Sequence, residues 1–186
     1  MNFEHKVFIN QFPIVKKFVY HLIYYRSLLK GYQEHQLQNE FWTLTIDAHL
    51  LRAVTNWCMV FGSDTSEPTH WKKLSLTESK ALYKSFREGL FEATDLNQHT
   101  WRRYWKSVVD FRNKYAVHRE LEFSRPVPNF DNALAVAYYY DAWVRGVISP
   151  AAFDEPPLES FAKTLHDSMA PVVEKLLVNC AAENAS

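Results

Sequence analysis

Arg112 and His118 lie six positions apart in FRNKYAVHRE, residues 111–120. Side chains of these two types suffice for phosphodiester cleavage without a metal. The guanidinium is a planar, permanently charged fork suited to phosphate oxygens, and the imidazole both accepts and donates protons near neutral pH. In that chemistry His118 takes the proton of an RNA 2′-hydroxyl or protonates the leaving oxygen, while Arg112 stabilises charge on a phosphorane-like transition state. The same residues also admit a structural reading. Arg112 would then pair with a distant carboxylate, and His118 or Arg119 would satisfy the C-terminal end of a helix.

The spacing predicts a helix over 99–119 that must position them. With Arg112 at zero on a wheel of about 100° per residue, Trp101 and Trp105 fall about 20° to either side. Val108 and Tyr115 follow at about −40° and −60°, and Tyr104, Phe111 and His118 at about −80° to −120°. Arg112 therefore belongs to an apolar stripe, and His118 sits at its edge in line with Phe111. The axial separation of Arg112 and His118 is about 9 Å, which leaning side chains narrow, so both can serve one site, within a chain or across two. A buried unpaired guanidinium costs several kcal/mol. The fold must supply it with a carboxylate, or the stripe must open into a cleft or a subunit interface. Asp110, Glu120 and Glu122 are too local to reach it easily.

Around that helix the pattern predicts five others and no strand. Ile14, Val15, Phe18, Val19, Leu22, Ile23 and Leu29 mark a helix over 14–30, begun near Pro13 and stopped at Gly31. A second covers 40–61 and ends in the turn-rich GSDTSEP. Trp71, in THWKKLSL, is expected as a plug over the core rather than an exposed recognition ring. Helices over 76–92, with Thr77 as cap, and over 131–147 come next. The last, about 157–180, carries Pro171 in its interior and is expected to kink there or divide. The fold class read from this is all-α, a single-domain up-and-down bundle of about six helices spanning residues 1–186.

Composition agrees with long packed elements: aromatics are 16% of 186 residues while glycine occurs four times. Lys plus Arg and Asp plus Glu are both 21, so any nucleic-acid contact must come from a local patch rather than from net charge. Cys58 and Cys180 are far apart and fit no metal-ligand spacing, which points to a reducing cytoplasm and to no metal or other cofactor. Lys16, Lys17, His21 and Arg26 interrupt the first apolar segment too often for a membrane span. The opening MNFEHKVFINQF mixes charges early, without a small-residue cleavage site, so no signal peptide is expected.

The run R-N-K-Y-A-V-H from Arg112 to His118, late in an all-α chain, resembles the signature of the HEPN superfamily. With the upstream CMVFGS and THWKKL it is most similar to the abortive-infection, AbiU-like branch. The resemblance implies a HEPN-like core over about 40–145, with the helices over 14–30 and 157–180 packed on it. It also implies a homodimer whose two motifs face one another, with Arg112 and His118 as the catalytic pair of a metal-independent endoribonuclease. Asn113, the polar residue after the arginine, would orient the motif or reach across the dimer. The expected partners are an RNA substrate and a cognate antitoxin, in a toxin–antitoxin or phage-defence setting. Since the family also holds members without nuclease activity, the alternative is a non-catalytic interaction or nucleotide-binding accessory module.

Overall fold

The computed structural model describes residues 3–65, 67–74, 79–117, 126–148 and 154–184. Over these the protein is an all-α bundle of six α-helices: α1 His5–Glu34, α2 Glu40–Phe61, α3 Ser79–Thr94, α4 Gln98–Phe111, α5 Asp131–Val147 and α6 Leu158–Asn184. A short 3₁₀ turn, Trp71–Leu74, lies between α2 and α3, and a π-helical segment, Arg112–Val117, continues α4. α1 packs against both α2 and α6, and α3 against α5. All six helices feed one apolar core, through Val15 and Phe18, Trp57, Phe86, Val108, Tyr140 and Leu158. The ranges of α2 and α5 are those the periodicity predicts. Thr77, the expected cap of α3, lies outside the described residues.

Three expected boundaries are corrected. α1 does not begin at Pro13 but at His5, because Phe8 and Phe12 are buried in the same core as Val15 and Phe18. Pro13 and Ile9, whose carbonyl the proline leaves without its helical partner, are both exposed, so water can take that bond. Gly31 does not stop the helix either. A Cβ there would stand 2.3 Å from Leu177 Cδ1, so this glycine is a point of close approach between α1 and α6. The chain turns out of α1 at Gln36, which takes the left-handed conformation at φ 49. Leu37 N donates to Tyr32 O at 3.1 Å and Gln36 N to Gln33 O at 3.2 Å, the two bonds of a Schellman ending. At the other end of the chain, α6 does not divide at Pro171 but continues as one helix to Asn184. Pro171 and Asp167, four residues before it, both face solvent.

The segment between α2 and α3 is pinned from several sides. Thr69 Oγ1 donates to Met59 O at 3.1 Å, and buried Gln11 of α1 donates its amide to Thr69 O at 2.9 Å. Tyr140 of α5 donates to the Gln11 carbonyl oxygen, and Lys72 pairs with Asp64. Trp71 is the plug the sequence predicts: it is buried and stacks on Phe86 with ring centroids 4.0 Å apart. His70, 3% exposed, accepts from Lys72 N at 3.2 Å through Nδ1.

Burial first, and Lys72 second, hold the His70 imidazole down to about 4 from its ordinary 6.5. The folded state thus binds fewer protons here than the unfolded chain. Its contribution is complete above pH 6.5 and is lost as pH falls from 6.5 toward 4, about 3 kcal/mol in all. In urea titrations at pH 7.5 and 4.5, His70→Asn, which keeps an acceptor, should show a smaller loss of stability on acidification than the parent. Equal losses would contradict this assignment.

Candidate functional site at Arg112

Helix α4 is fixed at both ends. Asn97 Oδ1 accepts from His99 N at 2.9 Å and Thr100 N at 3.0 Å, and Thr100 Oγ1 accepts from Asn97 N at 3.0 Å, a reciprocal cap. Further along, Trp105 Nε1 donates to Phe61 O at 2.8 Å and ties the helix to the end of α2. Val108, Val109 and Phe111 are buried, while Trp101, Tyr104 and Trp105 are partly so. This is the apolar stripe of the wheel.

The α-helical winding ends at Phe111, and Arg112 is the first residue of the π-helical turn. The wider i→i+5 winding turns each residue through less than the 100° of an α-helix, so the ideal wheel does not extend past Arg112. Phe111 and Tyr115 stack within the turn, with centroids 5.0 Å apart and planes 20° apart. Tyr115 Oη donates to Asp47 Oδ2 of α2 at 3.3 Å. The turn is therefore tied to α2 beside the residue that carries the positive charge. π turns of this kind occur frequently at functional sites.

Arg112 keeps 19% of its side chain exposed. Its Nη1 stands 4.0 Å from Oε1 of Glu67, whose side chain is equally enclosed. Glu67 lies on the pinned segment after α2, distant in sequence, which is the kind of partner the stripe requires. At 4.0 Å the contact is a loose ion pair rather than a bidentate fork. The guanidinium also lies beside the thiol of Cys58. Burial pushes that thiol up to about 12, against the opposing influence of Arg112, so it stays protonated and supplies no counter-charge. Arg112 Nε is buried and makes no hydrogen bond of ordinary geometry among the described residues.

Of the residues expected at the site, Asn113 is exposed. His118 lies outside the described residues, as do Arg119, Glu120 and Glu122. Sequence reasoning did not single out Glu67 or Cys58. Cys58 could have been reached through the buried face of α2, but nothing local marks Glu67, which the fold alone brings to α4. No group of three His, Cys, Asp or Glu side chains suited to a metal comes together among the described residues.

No family model, no curated protein and no solved structure matches the chain.

A double-mutant cycle between Arg112→Met and Glu67→Gln, read by chemical unfolding, should give a coupling energy of about 0.5–2 kcal/mol. Strictly additive effects would mean that the two charges do not sense one another.

Proposed function

We propose that the chain is a cytoplasmic, metal-independent endoribonuclease acting in RNA cleavage for toxin–antitoxin or phage defence, with Arg112 and His118 as its catalytic pair. What supports this is the incomplete satisfaction of Arg112. Among the described residues Arg112 Nε has no acceptor of ordinary geometry, the Cys58 thiol bonded to the guanidinium is neutral, and Glu67 stands 4.0 Å away, so the charge is only partly answered; a buried donor left so costs about 1–3 kcal/mol. A phosphate oxygen would meet that need. Glu67 limits how far the fork can move, and the π turn sets where it points. On this reading His118 exchanges the proton and Asn113 acts on the orientation of the turn. Two copies form a homodimer with a composite cleft, held in check by an antitoxin protein. No helix among the described residues is long and apolar enough to cross a membrane.

A second reading is a non-catalytic helical interaction module. The Glu67 contact favours it, because an ion pair made within one chain already answers part of the charge. The two readings diverge under one assay. Purified parent protein should cleave single-stranded RNA in the presence of a chelator, leaving 2′,3′-cyclic phosphate and 5′-hydroxyl ends. Arg112→Ala and His118→Ala should each lower the rate by about 100-fold or more, with a smaller loss for Asn113→Ala. Unchanged cleavage in either of the first two variants would remove the catalytic assignment. Loss of thermal stability with no cleavage in the parent would favour the module.

A further inference from the structure

A second feature stands apart from Arg112. Between α3, α4 and the segment after α2 lies a cleft of about 420 Å³, within the range of small-ligand sites. Phe91 from α3, and Trp101 and Trp105 from α4, line it with partly exposed rings. The rings are held in place before any ligand arrives: Trp105 by its bond to Phe61 O at 2.8 Å, and the deeper Trp71 by its stack on Phe86. Such faces accept a planar ring with little loss of side-chain freedom.

Charge is concentrated in the same place. Arg87 on α3 and Arg102 on α4 both belong to the lining, both are exposed, and neither has a carboxylate partner among the described residues. Among the described lining residues the one carboxylate, Asp64, is already paired with Lys72. Among the described lining residues, three cations against one carboxylate make the cleft positive in a chain with equal numbers of acidic and basic residues. Gln98, also in the lining, can both donate and accept hydrogen bonds, as the edge of a heterocyclic base requires.

We propose that this cleft binds a nucleotide unit, with its base on the Trp101, Trp105 and Phe91 faces and its phosphate between Arg87 and Arg102. Base stacking on aromatic side chains and guanidinium contact with phosphate are both sequence-tolerant, so the cleft selects a nucleotide without selecting its base strongly. The site uses neither Arg112 nor His118, so it stands whether or not the chain cleaves RNA.

Calorimetric titration of the full chain separates the parts of this proposal. AMP should bind about tenfold or more tightly than ribose 5-phosphate, which lacks the base, and than adenosine, which lacks the phosphate. The double variant Arg87→Gln/Arg102→Gln, altered at exposed positions, should unfold at the parent's temperature and bind AMP about tenfold more weakly. Single-stranded oligoadenylate distinguishes the sources. Tighter binding than AMP, lost in the same double variant, identifies a strand of RNA, and equal binding identifies a free nucleotide. AMP binding no better than that of ribose 5-phosphate or adenosine, or unchanged in a folded double variant, would overturn the proposal. Absence of AMP binding to the parent would overturn it as well.

Discussion

A permanently charged side chain on an apolar helix stripe constrains this fold more than any other single residue. Arg112 cannot shed its proton, so its surroundings must answer the charge. The bundle answers it in part, with Glu67 at 4.0 Å and a neutral Cys58 thiol alongside, and leaves Nε without a bond among the described residues. A fold selected for stability alone would gain from closing that contact into a fork or replacing it with an apolar side chain.

Much of the surrounding structure serves to hold that arrangement still. Glu67 lies on the segment after α2, which Gln11 fastens to α1 and Thr69 to Met59 at the end of α2, with Tyr140 of α5 bracing Gln11 and Lys72 paired to Asp64. Opposite it, α4 is capped at Asn97 and tied to Phe61 through Trp105. The change from α to π winding falls at Arg112 itself, and the Phe111–Tyr115 stack with the Tyr115–Asp47 bond fixes the turn. Rigid neighbours around an under-satisfied donor are what a preorganised anion contact requires. The cleft between α3 and α4 draws on the same anchors, because Trp105 belongs both to its wall and to the fastening of α4.

The helices were legible wherever burial was periodic. α2 and α5 follow from their apolar spacing, and Trp71 could be assigned to the core from its size alone. The boundaries failed where a residue plays a part other than its usual one. Pro13 and Pro171 sit on exposed faces, where a lost backbone bond can be made to water, so neither ends its helix. Gly31 marks where two helices touch, and Gln36 and Asp95 take the left-handed positions usually held by glycine. At the site, the wheel put Arg112 on a largely enclosed face, and its side chain is 19% exposed, but an ideal 100° step cannot foresee a π turn. Nor can any local pattern announce Glu67, whose approach depends on how the segment after α2 folds back on the bundle.

A catalytic Arg112 must take an anion. The most direct measurement is the nitrogen–proton resonance of Arg112 Nε during titration with a 2′-deoxy oligonucleotide, which offers phosphates but no 2′-hydroxyl to react. With a phosphate on Arg112, this resonance should move and its exchange with solvent should slow as the oligonucleotide binds. A resonance that stays fixed while others respond to binding would contradict this, leaving Arg112 as a loosely paired structural charge.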